Sequence, residues 1–290
     1  MVLQPKRLWP DSATILERSR GVFFAYWEEL LRLRRVVLKT SDLNDIHDLR
    51  VASRRFRAAL ELFYPLAPKC SKTELRRSVR CLTRILGGLR NIDEAHLFFQ
   101  QQTSSQLSDN TRLYAKLSRR RDKELTAIRK SLKEFDHVRY DKKVREIVAG
   151  VNEASIARLN SISLLAFFSD VSIRLYLPIH TLFPVSIAPD QRSPRHALRI
   201  AIKKWRYFFE IIALILNRDY THVLELLKEY QSILGQMNDI VEFGLLITTC
   251  KLPADERTKY ESILRTEEVA LLERFTSLVE QTPLTYTFLI

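Results

Sequence analysis

Apolar positions recur along this chain at steps of three and four residues, and no stretch alternates with period two. The pattern predicts helices over 12–37, 46–63, 72–101, 109–135, 139–168, 194–217, 219–249 and 254–281, hence an all-α chain. Proline supplies the punctuation. The ten prolines leave 69–177 and 195–252 uninterrupted, whereas four of them fall within 178–194, which reads as a loop. Asp42 or Asn44 is placed to cap the second helix, and Pro65 to stop it.

One helical pattern occurs twice. His47-Asp-Leu-Arg50-Val-Ala-Ser-Arg54-Arg55-Phe-Arg57 aligns with His196-Ala-Leu-Arg199-Ile-Ala-Ile-Lys203-Lys204-Trp-Arg206 at an offset of 149 residues, and the match extends to Glu61 and Glu210. One helix later, Ile85-Leu86-Gly87 aligns with Ile233-Leu234-Gly235 at an offset of 148. Near-equal offsets over two successive helices predict a duplicated unit, residues 1–148 and 149–290. At about 100° per residue, His47, Arg50, Arg54, Arg57 and Glu61 share one helix face, opposite Leu49, Ala52, Phe56, Ala59, Leu60 and Phe63. The second copy sets His196, Arg199, Lys203, Arg206 and Glu210 against Leu198, Ala201, Trp205, Phe208 and Phe209. Cations three and four residues apart on one face repel one another. A solvated face relieves this with interspersed acids, so the stripe points to a counter-charge brought from outside.

Composition changes the picture mainly through charge. The 290 residues hold 47 Lys+Arg and 34 Asp+Glu, net +13. Residues 1–150 carry 32 basic and 18 acidic side chains (+14), and residues 151–290 carry 15 and 16 (−1). A further stripe, Arg77, Arg80 and Arg84, lies on the helix after the first repeat, where the second copy has Glu225, Lys228 and Ser232. A polyanion is the expected partner, held more strongly by the first half. Histidines near neutral pKa would strengthen such binding as pH falls. Six glycines are too few for a Gly-rich phosphate loop. Three unmotivated cysteines (Cys70, Cys81, Cys250) argue against a disulfide framework or a zinc site. No apolar run suits a membrane span, and the charged N-terminal segment does not read as a secretory signal. A cytoplasmic setting without cofactor or metal is expected.

The paired segments, followed by Leu86-Gly87-Gly-Leu-Arg90-Asn91-Ile-Asp93 and Leu234-Gly235-Gln-Met-Asn238-Asp239, resemble the CHAD family (conserved histidine α-helical domain) over about residues 15–285. The resemblance implies two similar four-helix-bundle-like halves related by a pseudo-two-fold axis. It also implies that histidines and basic side chains bind inorganic polyphosphate in a central cavity or on an adjoining surface, without catalysis and with polyphosphate granules as a destination. Carried over by position, the site is His47, Arg50, Arg54, Arg57, Arg77, Arg80, Arg84, Arg90, His196, Arg199, Lys203 and Arg206. Arg55, Lys204 and Lys228 stand second, the first two because they point about 80° from the stripe. Asn91 replaces an acid usual in the motif and leaves Arg90 without that partner. Conversely, the second copy keeps the acid and lacks the arginine.

Two other functions fit the basic charge. A nucleic-acid-binding helical protein would place exposed aromatics among its cations, but here Phe56, Trp205, Phe208 and Phe209 fall on apolar faces. A role on phosphoanhydrides would need acids spaced for Mg²⁺, and Asp93-Glu94 is the nearest approach.

Overall fold

A computed structural model describes residues 10–40, 42–66, 72–103 and 112–286, and among them it contains ten helices and no strand. They are α1 (Ser12–Thr40), α2 (Leu43–Phe63), α3 (Lys72–Thr103), α4 (Arg112–Glu134), α5 (His137–Gly150), α6 (Glu153–Ala157), α7 (Leu164–Ser186), α8 (Arg192–Leu216), α9 (Thr221–Thr249) and α10 (Ala254–Gln281). Sequential neighbours pair, α1 with α2, α2 with α3, α3 with α4, α7 with α8, α8 with α9 and α9 with α10. Elements distant in sequence then join, α1 and α2 against α8, and α3 against α9.

The apolar stripes account for these contacts. Leu49, Phe56, Ala59, Leu60 and Phe63 of α2 are fully buried, with Phe56 between Phe23 (5.4 Å) and Trp27 (5.2 Å) of α1. In α8, Trp205 lies 5.1 Å from Tyr176 of α7 and 5.1 Å from Phe209. Phe98 and Phe99 of α3 meet Phe243 of α9 at 5.3 and 6.0 Å, an aromatic joint between distant parts of the chain. Each such ring pair contributes about 0.5–1.5 kcal/mol beyond its buried area.

Helix boundaries follow local chemistry. Asp42, not Asn44, caps α2, its carboxylate accepting from the Asn44 N–H at 2.8 Å. Asn217 ends α8 in the left-handed conformation at φ 51°.

Two sequence expectations are overturned. The predicted loop 178–194 is helical over most of its length. α7 runs through Pro178 and Pro184 to Ser186, and α8 begins at Arg192, before Pro194. A helix-interior proline costs about 3 kcal/mol, but both α7 prolines face solvent while Ile179 and Ser186 are buried. Packing of α7 on α8 offsets the lost hydrogen bonds. The predicted helix 139–168 is instead three segments. Gly150 ends α5, Asn152 caps α6, Asn160 turns at φ 57°, and Ser163 caps α7 through the Ala166 N–H at 3.1 Å. Residues 104–111, where the predicted 109–135 helix begins, lie outside the described residues, as does Cys70. Among the described residues no helix is long and apolar enough to cross a membrane.

Candidate anion-binding site

The α2 stripe and the α8 stripe meet where these two helices pack, with α3 and α9 flanking them. Their cations bear on one another across the contact. Lys203 feels, in order, the charges of Arg54, Arg199, Arg50 and Arg57, three of them from α2. Arg57 in turn feels Arg80 of α3, and Arg199 feels Arg90. The structure thus gathers Arg50, Arg54, Arg57, Arg80, Arg90, Arg199 and Lys203 from positions up to 153 residues apart, Arg50 to Lys203.

Most of this cluster lacks a carboxylate in direct contact, although Glu61, Asp239 and Glu94 act at longer range on Arg57, Arg199 and Arg50. Arg50, Arg54, Arg57, Arg80, Arg199 and Lys203 make no ion pair with a carboxylate of the described residues. Arg50 is only 6% exposed, and the Nε atoms of Arg50 and Arg199 are buried without a hydrogen-bond partner. A buried donor left unpaired costs about 1–3 kcal/mol, more when charged. Two such donors occupy matching positions of the two stripes. Burial, with Arg54 and Arg90 adding repulsion, pulls Arg50 down to about 10; burial also lowers Arg57 and Arg199. Burial and the surrounding arginines push Lys203 down to about 7.

The remaining candidates stand otherwise. Arg90 is neutralised within the protein. Its Nη1 and Nη2 donate to Asp239 at 2.7 and 2.8 Å, and Glu94 lies 3.2 Å from its Nε. Arg206 donates to Glu210 (2.8 and 3.0 Å) and to Gln231 (3.0 Å), and Arg55 reaches the same Glu210 at 3.4 Å. Arg77 and Arg84 are exposed on α3, Arg84 contacting Cys81 Sγ at 3.7 Å. Lys204 and Lys228 are exposed on α8 and α9. His47 and His196 are both exposed; His196 Nδ1 lies within hydrogen-bond distance, 2.7 Å, of Asn238 Oδ1. Arg195, next to it, is spent on structure. Its guanidinium donates to the carbonyls of Ala188 (2.6 Å) and Pro189 (2.7 Å) and so ties the α7–α8 turn.

This arrangement is a concentrated positive field with fixed guanidinium forks, suited to several phosphate groups at once. A match to the CHAD domain family model covers residues 22–247. The chain belongs to the CHAD domain family. Among solved structures, the CHAD domain from the plant Ricinus communis superposes with a TM-score of 0.66 at 22% identity, covering 99% of this chain and 98% of its own. PptA from Streptomyces chartreusis superposes with a TM-score of 0.68 at 15% identity, covering 92% and 99%. At these identities the likeness establishes the CHAD fold. No curated protein matches the sequence.

One site residue, Tyr207, and two partnerships of Arg90 escape the sequence reading. Tyr207 acts on both Arg50 and Arg57 and lies four residues after Lys203, a spacing that puts it on the stripe. Glu94 likewise follows Arg90 by four. Asp239 as the partner of Arg90 had no local signal, since the two are 149 residues apart.

Proposed function

We propose that this CHAD domain binds inorganic polyphosphate in the cluster where α2 meets α8. The observation that carries this reading is the pair of buried, unpartnered Nε donors of Arg50 and Arg199 within a group of cations lacking carboxylate partners. An anion bound there would pair these donors and relieve the repulsion together. The reading also draws on the family, which is associated with polyphosphate. Residues 1–148 and 149–290 act in it as two copies of one helical unit about a pseudo-two-fold axis, each presenting its stripe to the same strand of phosphates.

Binding without turnover is the version we favour. Asp93 is held by Arg121 at 2.8 Å, and Glu94 and Asp239 are held by Arg90. Phe56, Trp205, Phe208 and Phe209 are buried in the core, which favours polyphosphate over single-stranded nucleic acid, a ligand that uses exposed rings for stacking. A cytoplasmic protein carried to polyphosphate granules fits this role. Filter-binding competition tests it. Excess polyphosphate should displace labelled RNA and excess RNA should fail to displace labelled polyphosphate; the reverse order would make this a nucleic-acid-binding protein.

A further inference from the structure

The outward side of α7 differs from that of a solvated helix. Besides His180, its 23 residues carry two charged side chains, Asp170 and Arg174, which pair with each other at 2.6 Å. Phe168, Ser172 and Ile179 are buried, and Ser172 accepts from Trp205 Nε1 of α8 at 3.4 Å. Away from α8, Ile173 is 45% exposed, Leu177 55% and Val185 49%, and Ile162 in the turn before α7 is 97% exposed. At about 100° per residue, Ala166, Asp170, Ile173, Leu177, Thr181 and Pro184 fall within an arc of about 80°. They form one stripe about 27 Å long. A helix facing water carries polar residues over such an arc, and contiguous exposed apolar surface marks an interaction site.

Shape and charge along the stripe fit a second copy of this chain. An open notch of about 440 Å³ lies at its N-terminal end, where Pro65, Ile162, Ala166 and Phe167 form walls together with Asp170 and Arg174. Leu177 projects from the same side of the helix, one turn beyond the notch. A two-fold axis crossing α7 midway between Asp170 and Arg174 sets two copies of the helix antiparallel. Asp170 of each copy then faces Arg174 of the other, and Ile173 meets its own counterpart beside the axis. Leu177 comes level with Ala166 and Phe167, where the notch lies. Sliding the copies by one turn either way sets Asp170 against Asp170 or Arg174 against Arg174, so charge selects a single register.

We propose that α7 is a homodimer interface, two copies packing it antiparallel about this axis with Leu177 of each seated in the notch of the other. The surface uses none of the cations of the α2–α8 cluster, so the inference stands apart from the polyphosphate reading. A stripe about 27 Å long and one helix wide covers less than the roughly 800 Å² per partner of a standard interface. The dimer is accordingly a weak one, dissociating in the micromolar range.

Sedimentation velocity from about 1 to about 200 µM protein tests the proposal. Wild-type protein should pass from monomer to dimer across that range. Leu177→Glu, at an exposed position, should stay monomeric and keep its helical circular dichroism. Asp170→Arg and Arg174→Asp should each weaken association about tenfold or more, because like charges then face one another across the axis, and the double exchange should restore it. A wild-type monomer throughout, dimerisation unchanged in Leu177→Glu, or no recovery in the double exchange would each overturn the proposal. Flotation of a monomeric wild-type protein with phosphatidylcholine vesicles, lost in Leu177→Glu, would also overturn it and assign the face to a lipid surface.

Discussion

Arg90 of α3 and Asp239 of α9 form a two-pronged ion pair at 2.7 and 2.8 Å, joining parts of the chain 149 residues apart. In the first Leu-Gly segment Asn91 replaces the usual acid, and the second keeps Asp239 without an arginine. The two departures are complementary. Burial lowers the Arg90 guanidinium, but Asp239 and Glu94 more than offset it and hold it above its ordinary value. Asp239→Asn leaves a half-buried arginine with only Glu94 and should cost about 2 kcal/mol in urea denaturation. In a double-mutant cycle, Arg90→Gln should add little to that loss. Additive losses would show that the two side chains act independently.

Arg50 and Arg199 should trade stability for binding. Replacing either by Met removes a buried unpartnered donor and keeps most of the packing volume. Thermal stability of the ligand-free protein should hold or rise by about 1 kcal/mol. Affinity for polyphosphate should fall about tenfold or more, as expected for losing a charge-assisted hydrogen bond of about 1.5–3 kcal/mol. A variant that loses stability and keeps affinity would mark these arginines as structural.

Lys203 sets a pH dependence of folding. Its folded value is depressed to about 7, whereas the unfolded chain keeps the proton to about 10.4. The cost of a charged Lys203 is therefore full below pH 7 and declines as pH rises through 7 to 10. Lys203→Met should stabilise the protein more at pH 6 than at pH 9. Equal gains at both, by chemical denaturation, would place Lys203 outside the field of the arginines.

Within the first half, position ranks the arginines. Arg54 is half-buried and acts on Lys203, whereas Arg77, Arg80 and Arg84 are all exposed on α3, with Arg80 acting on Arg57. Arg54→Ala should weaken polyphosphate binding by about tenfold and Arg84→Ala by about twofold or less, since exposed ion pairs contribute about 0–1 kcal/mol. Equal losses would extend the site along the whole α3 stripe.

What could be read without coordinates was the part governed by local period. The apolar faces of α2 and α8 are the buried ones, and Asp42 caps where a cap was expected. The stripe from Arg50 to Arg57 and its partner at Arg199 and Lys203 were visible as repeated spacing. Hidden from that view were contacts made by packing. Pro178 and Pro184 forecast a loop because local rules omit the burial of Ile179 and Ser186, which holds α7 together. Arg206 shares its stripe with the ligand-facing cations, yet Glu210, four residues on along the same face, neutralises it, a local pair that the spacing itself contains. Lys203 is lowered first by burial and then by Arg54 of α2, 149 residues away, and no window of sequence contains either cause.

The salt dependence of polyphosphate affinity tests the central claim most directly. Each phosphate neutralised releases condensed counterion, and a single strand contributes a slope of about −0.7 per contact in log K against log salt. The six cations without carboxylate partners then give a slope of about −4 for wild-type protein. Replacing Arg50 and Arg199 together by Met should make that slope shallower by about 1.4 while helical circular dichroism is retained. An unchanged slope and affinity in this double variant, or a wild-type affinity flat with salt, would contradict binding at the α2–α8 cluster.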